Sequence, residues 1–302
     1  MADQQPHHSG FVNILGKPNM GKSTLLNALV GEKMSVITAK PQTTRHRIIG
    51  ILNGEGFQIV FSDTPGFVDQ PAYRMHKMMN AYVNLSFDDA DIILFLTDPF
   101  ESLDEQHLLL KRIALHSSPV IGIINKKDLV TEDQLLERKK ALAQFLPGKT
   151  IHSISALTGE GVAELMEYVV SLLPEGVPYY PDDQLTDRTE RFFVSEIIRA
   201  NILELYREEI PYSCEVVVES FSEGDSRTGP IVRINAVIYT LDERKKMIML
   251  GKNGSAIKQL GTNSRKEIEA FVGKRVFLEL NIKVRENWRD DEDALRSFGY
   301  QN

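Results

Sequence analysis

The chain has 302 residues, 42% of them hydrophobic and 25% charged, which suits about two ordinary globular domains and excludes wholesale disorder. Its one cysteine, Cys214, excludes an intramolecular disulfide and a cysteine-based zinc site, and fits a reducing, cytosolic compartment. A formal net charge of −7 does not favour nucleic acid for the molecule as a whole, so such a partner has to be met by a local patch.

The first residues, Met1–Ser9, are polar and read as a frayed tail; His7 and His8 sit in it, and no apolar core of a secretory signal is present. Phe11–Leu15 is a short apolar run ending in a glycine-rich turn. Lys22–Val30 then places Leu25, Leu26 and Leu29 at helical spacing. Ile48–Leu52 and Gln58–Phe61 read as two strands joined by the turn Asn53–Gly56. Ile92–Leu96 and Val120–Ile124 are apolar runs far shorter than the ~20 residues a bilayer needs, and they read as buried parallel strands. Leu103–Leu115 and Gln134–Phe145 have helical periodicity; Ile151–Ile154 is a last strand and Val162–Leu172 a last helix. This alternation predicts an α/β fold, a mostly parallel sheet with helices on both faces.

Leu173–Asp187 breaks the pattern with Pro174, Gly176, Pro178 and Pro181 and reads as an interdomain linker. The expected organisation is therefore 1–173, a linker 174–187, and a second domain 188–302. In that domain Arg191–Ile210 reads as an amphipathic helix and Cys214–Phe221 and Ile231–Leu241 as strands. Lys246–Leu250 reads as a short further strand, and Ser255–Phe271 as a helix or helix pair broken near Gly261. Val276–Val284 is a final strand with Glu279 and Asn281 facing outward.

Gly16-Lys17-Pro18-Asn19-Met20-Gly21-Lys22-Ser23 matches GxxxxGKS/T between a strand and a helix. Glycines let the backbone wrap phosphates with N–H groups inward, and the helix N-terminus adds positive partial charge. Lys22 is expected on the β- and γ-phosphates and Ser23 on Mg2+. Asn125-Lys126-Lys127-Asp128 follows a strand about 100 residues on. Its Asp128 carboxylate would accept from the N1–H and amino group of guanine, a donor pair adenine lacks. Asn125 would bridge to the phosphate loop, and the stem of Lys126 would cover the base. At the next strand end, Ser155-Ala156-Leu157 would offer a backbone N–H to the guanine O6.

Asp63-Thr64-Pro65-Gly66 ends the Gln58–Phe61 strand. Asp63 would hold Mg2+ through a water and the Gly66 N–H would contact the γ-phosphate. Met34–Arg47 lies between, and one threonine there should complete the Mg2+ shell: Thr44 is preferred, with Thr43 next. Phe67 follows Gly66 and cannot orient water, so hydrolysis by the isolated chain is expected to be slow.

Gly251-Lys252-Asn253-Gly254, followed by Ser255 and Lys258, is a GxxG turn at the head of a helix. A KH domain clamps about four single-stranded nucleotides with such a loop. Over 241–275 nine basic residues face four acidic ones, a local excess of basic charge in an acidic chain.

The string Gly16–Asn27 resembles the GxPNxGKSTLLN of the Era/TrmE-type GTPases. Pro41-Gln42-Thr43-Thr44-Arg45-His46-Arg47 resembles the effector stretch of bacterial Era proteins. The likeness runs on, in family order, through Thr24, Asp63–Gly66, Asn125–Asp128, Ser155-Ala156 and Gly251–Gly254 to Trp288–Asp291 and Leu295–Tyr300. It implies a P-loop GTPase domain followed by a type II KH α+β domain that binds the single-stranded 3′ end of small-subunit ribosomal RNA. It also implies a role in maturation of the small ribosomal subunit, and peripheral contact with the inner membrane. A K+ ion, held with the help of Asn19 in place of an arginine finger, is a further implication. Lys17 and Met20 stand where Arg and Val are usual. Two other readings stand beside this one: a membrane-associated signalling GTPase whose KH-like domain binds a protein, and a nucleoside or nucleotide kinase. Neither an obligate protein partner nor an oligomeric state follows from the residues.

Overall fold

A computed structural model of the chain describes residues 6–38, 40–103, 108–226 and 229–300, in two compact units. The first comprises 1–37, 44–71 and 76–187; the second comprises 38–43, 72–75 and 188–302.

The first unit is built on a six-stranded sheet. Its strands are β1 (His8–Leu15), β2 (Ile48–Gly54), β3 (Phe57–Asp63), β4 (Ile92–Thr97), β5 (Val120–Ile124) and β6 (Thr150–Ser153), in the order β2-β3-β1-β4-β5-β6. Only β2 runs antiparallel to its neighbour. Every residue of β4 and β5 is buried, as expected where both faces of a parallel sheet are covered. The helices are α1 (Lys22–Val30), α2 (Arg74–Asp88), α3 (Leu108–Ala114), α4 (Glu132–Phe145) and α5 (Val162–Ser171). α4 begins with a full capping box between Thr131 and Gln134. Residues 104–107 of the helix expected at Leu103–Leu115, and residues 1–5 of the expected tail, lie outside the described residues.

Two strand-order facts place the site. β1 lies between β3 and β4, so the order reverses there, and the loops leaving the carboxyl ends of β1, β3, β4 and β5 open onto one crevice. His8 and Ser9 belong to β1 rather than to a tail.

The segment read as a linker, 174–187, is part of the first unit. Gln58, fully buried on β3, binds it like a strand: its Oε1 accepts from Tyr179 N (2.7 Å) and Tyr180 N (3.0 Å), and its Nε2 donates to Tyr180 O (2.8 Å). Ile51 N donates to Leu185 O at 2.8 Å. Bonded in this way, the segment covers the edge of β2.

The second unit opens with α6 (Glu190–Leu205) and holds a three-stranded sheet, β7 (Glu215–Ser226), β8 (Gly229–Thr240) and β9 (Arg275–Val284), in that order. β7 and β8 pair antiparallel, β8 and β9 parallel. Between β8 and β9 the chain forms α7 (Glu243–Leu250) and α8 (Ser255–Val272); α9 (Glu292–Ser297) follows β9. Along β9, Arg275, Phe277, Glu279, Asn281 and Lys283 are exposed while the alternate residues are covered, the period-2 pattern read from the sequence. The expected strand at Lys246–Leu250 is instead α7. Asp242 caps it, accepting from Lys245 N at 2.8 Å, and β8 pairs directly with β9, leaving no slot for another strand. α8 runs unbroken through Gly261. Trp288 and Tyr300 are fully buried; Trp288 Nε1 donates to Ser213 O and Tyr300 Oη to Glu215 Oε2.

Candidate functional site

The loop Gly16–Gly21 joins β1 to α1, and its glycines are dictated by contact. A side chain at Gly16 would strike the carbonyl of Leu96, and one at Gly21 would strike Asn125. Gly21 also has a φ of 93° and Asn19 of 66°, so successive N–H groups turn toward the space above the loop, as in an anion-binding nest. Lys22 is buried, and its Nζ donates to Gly16 O (3.1 Å) and Lys17 O (2.9 Å). Burial lowers its pKa to about 8, while the carboxylates of Asp63 and Glu101 act the other way.

Next to it, four oxygen-bearing side chains converge. Asp63 Oδ2 accepts from Ser23 Oγ at 2.6 Å, Ser35 Oγ at 3.1 Å and Thr44 Oγ1 at 3.3 Å, and Ser23 Oγ lies 2.9 Å from Thr44 Oγ1. The other carboxylate oxygen, Asp63 Oδ1, is buried and has no hydrogen-bond partner among the described residues. Burial raises the Asp63 pKa; Lys22 and the three hydroxyls oppose the rise. Hard oxygen donors, one carboxylate and one orphaned oxygen suit a small dication that takes its remaining ligands from phosphate and water. Thr43 is not in this group: its hydroxyl pairs with Thr38 Oγ1 and donates to Lys40 O, each at 2.7 Å. Gln42 has a φ of 59°, Arg45 is fully buried and His46 nearly so, its ring 6.3 Å from that of Tyr82.

Thr64 Oγ1 donates to Ile14 O at 2.9 Å, which binds the Asp63–Gly66 segment to β1. Pro65 is buried, and a Cβ on Gly66 would meet Pro18 at 2.6–2.8 Å, so this glycine and the phosphate loop touch backbone to backbone. Phe67 packs against the β4–β5 core and offers no polar atom to the crevice.

At the carboxyl end of β5, Asn125 joins three segments. Its Nδ2 donates to Met20 O and its Oδ1 accepts from Ala156 N, both at 2.9 Å. Lys126 reaches Asn19 O at 2.8 Å. Lys127 pairs with Glu160 at 2.7 Å. Asp128 is exposed, and among the described residues it accepts no hydrogen bond. The Ser155 N–H is committed to Glu160 O and the Ala156 N–H to Asn125, while Leu157 is 82% exposed.

Three neighbours were not read from the sequence. Asp98, at the end of β4, accepts from Lys126 at 2.8 Å and caps the turn through Phe100 N and Glu101 N. Glu101 lies 3.7 Å from Lys17. Ser35, 2% exposed, is clamped by Asn27, whose side chain bonds both its N–H and its carbonyl. Asp98 carried a usable signal, since it directly follows a buried strand of an open α/β sheet. Ser35 carried none.

In the second unit the Gly251–Gly254 turn is built from left-handed backbone: Gly251 has a φ of 70°, Asn253 of 53° and Gly254 of 75°. A Cβ on Gly251 would also collide with Ala256. Ser255 then starts α8. The basic stretch around this turn is less uniform than its composition suggests. Lys245 pairs with Asp242, Lys246 with Glu243 and Lys274 with Glu223. Lys252, Lys258 and Arg265 are exposed and, among the described residues, have no acidic partner. Lys258 and Arg265 line a cleft of about 390 Å³ between α8 and β9, floored by Leu278 and Leu280.

Comparison with known proteins agrees with both units. Residues 11–126 match the family model described as 50S ribosome-binding GTPase, and residues 209–289 match a KH domain. The chain is 43% identical over 299 residues to the GTPase Era of Geotalea daltonii, covering 99% of each. It is 42% identical over 299 residues to the chloroplastic GTPase ERA-like of Oryza sativa subsp. japonica, covering 97% of this chain and 70% of that one. Two solved structures superpose over 98% of this chain and 100% of theirs, each at 35% identity. One is Era in complex with MgGDPNP and nucleotides 1506–1542 of 16S ribosomal RNA, with a TM-score of 0.92; the other is an Aquifex aeolicus Era variant bound to GDP.AlF4−, with a TM-score of 0.91. On full-length likeness at this level, this chain belongs to the Era family of GTPases.

Proposed function

We propose that the chain binds and hydrolyses GTP as a switch that loads onto the 3′ end of small-subunit ribosomal RNA and assists assembly of the small subunit in the cytoplasm. The observation that carries the nucleotide half is the reach of Asn125: one buried amide ties the phosphate loop, the β5 end and the Ser155–Leu157 turn into a single cradle. Asp128 is left exposed at the mouth to select guanine. Leu157 is the residue of that turn whose N–H has no protein acceptor among the described residues, and it would serve the guanine O6.

Ser23 and Thr44 would hold Mg2+ directly and Asp63 through a water; the ion would supply charge neutralisation on the β- and γ-phosphates. Thr44, rather than Thr43, is the threonine beside Ser23 and Asp63. Lys22 would turn from the carbonyls of Gly16 and Lys17 to the phosphates. Gly66, already against Pro18, would report the γ-phosphate through its N–H. With Phe67 packed inward, no side chain follows Gly66 to polarise water, which supports slow turnover in isolation. K+ is carried as a second ion near Asn19 on the family resemblance alone.

The RNA half rests on the Gly251–Gly254 turn with Lys252, Lys258 and Ser255, and on a 35%-identical relative solved with 16S ribosomal RNA. Two measurements test the reading. Asp128→Asn should weaken GTP binding about 100-fold and shift preference to xanthosine triphosphate. Pulldown of small-subunit RNA should be stronger with a non-hydrolysable GTP analogue than with GDP, and should be lost in Gly254→Asp. Unchanged base preference would overturn the guanine assignment, and equal RNA capture in both nucleotide states would overturn the switch.

A further inference from the structure

Asp98 follows β4 and is 4% exposed, and its two carboxylate oxygens have separate jobs. Oδ1 accepts from Phe100 N at 3.0 Å and from Glu101 N at 2.9 Å, which caps the turn after β4 and fixes the orientation of the carboxylate. Oδ2 is thereby aimed at the Lys126 ammonium, which donates to it at 2.8 Å.

Capping a turn does not call for a charge. An asparagine or serine side chain offers an oxygen to the same N–H groups, without the desolvation that a buried carboxylate suffers. The charge of Asp98 is therefore explained by Oδ2 and Lys126, not by the turn.

Lys126 is itself held in an uncommon way. Its backbone is left-handed, with a φ of 60°, a conformation that is strained for a residue with a side chain. Its ammonium bridges Asn19 O in the phosphate loop and Asp98 Oδ2 beyond β4, each at 2.8 Å. A free lysine stem samples many rotamers, and a stem pinned at both ends does not. The wall that this stem forms for a guanine is thus set before the nucleotide arrives, so little ordering is left to oppose binding.

We propose that Asp98 is a positioning residue for the guanine nucleotide: through Oδ2 it holds the Lys126 stem in its base-covering position and so slows nucleotide release. The inference rests on the guanine-nucleotide reading above and adds to it a residue that acts through Lys126.

The test uses full-length wild type, Asp98→Asn, Asp98→Ala, Lys126→Met and the double variant Asp98→Asn with Lys126→Met. Each is loaded with N-methylanthraniloyl GDP, and release into excess unlabelled GDP is followed by stopped-flow fluorescence. Asp98→Asn keeps an oxygen for the turn N–H groups but loses the charge toward Lys126. Loss of that charge-assisted bond should speed release about tenfold in Asp98→Asn and in Asp98→Ala alike. Lys126→Met should release at least as fast, and adding Asp98→Asn to it should give no further acceleration, because the two side chains act as a unit. A residue that served only the turn would leave Asp98→Asn at the wild-type rate, and that result would overturn the proposal. Accelerations that multiply in the double variant would overturn it too, as would Lys126→Met releasing at the wild-type rate. Failure of the wild type to bind the labelled GDP would instead sink the nucleotide reading, which is a different result from any of these.

Discussion

Lys22 is kept at a cost that only a ligand can repay. Lys22 is 6% exposed, and its ammonium has carbonyls, not a carboxylate, as its direct partners. A pKa lowered from 10.5 to about 8 by burial corresponds to about 3 kcal/mol held against the charged form. A polyphosphate above the loop reverses that balance. Lys22→Met should therefore stabilise the nucleotide-free protein at pH 7, by about 1–3 kcal/mol in urea denaturation, while nucleotide binding falls to background in titration calorimetry. Loss of stability together with loss of binding would mean that Lys22 is structural. Such residues were legible in the sequence because their chemistry is tied to spacing: a phosphate loop, an Asn125–Asp128 tetrad and an Asp63–Gly66 turn each close a strand. Ser35 is not, because a single serine in a loop acquires meaning only from the Asp63 it touches, whereas the place of Asp98 directly after a buried strand is a usable signal whose role the contact with Lys126 then defines.

α7 shows where local pattern runs out. Lys246–Leu250 is five residues long, too short for period 2 and period 3.6 to be told apart, and its apolar end favoured a strand. The Asp242 carboxylate decides otherwise, holding the first turn through Lys245 N and pairing with Lys245 Nζ. These bonds to Lys245 hold the carboxyl below its ordinary 3.8. With the folded value depressed, the cap contributes fully above about pH 4 and is lost as pH falls through the folded value. Asp242→Ala should cost about 1 kcal/mol at pH 7, seen as faster amide exchange in Glu243–Leu250. The difference from wild type should shrink as pH falls through the folded value; a difference independent of pH across the acid range would assign the effect to packing. α2 is hard to see in the sequence, although Met75, Met78, Met79, Tyr82, Val83 and Phe87 repeat at helical spacing and are buried. Its other face is polar enough to pass for loop. Gly261 reads as a break, yet a glycine weakens a helix without ending it when flanking residues pack, as Leu260, Ser264 and Ile268 do.

The whole chain carries a net charge of −7, so its overall charge opposes RNA and attraction has to come from a local patch. Nine basic residues fall in 241–275. Were all nine to displace counterions from a single strand, the slope of log affinity against log salt would be about −6. Ion pairing removes Lys245, Lys246 and Lys274 from that count, which leaves six; of these, Lys252, Lys258 and Arg265 stand at the turn and cleft, whereas Arg244, Lys266 and Arg275 belong to neither. Three contacts give a slope of about −2. Between about 50 and 200 mM KCl, affinity for the 16S fragment should then fall about 16-fold rather than several thousand-fold. Fluorescence anisotropy with a non-hydrolysable GTP analogue present measures this directly, and a slope steeper than about −4 would mean that a wider basic surface engages the RNA. A shallow slope has a consequence for selectivity. With electrostatics supplying little, most of the affinity must come from base contacts in the cleft and from the shape of the glycine turn. Scrambling the RNA sequence should therefore cost more than quadrupling the salt.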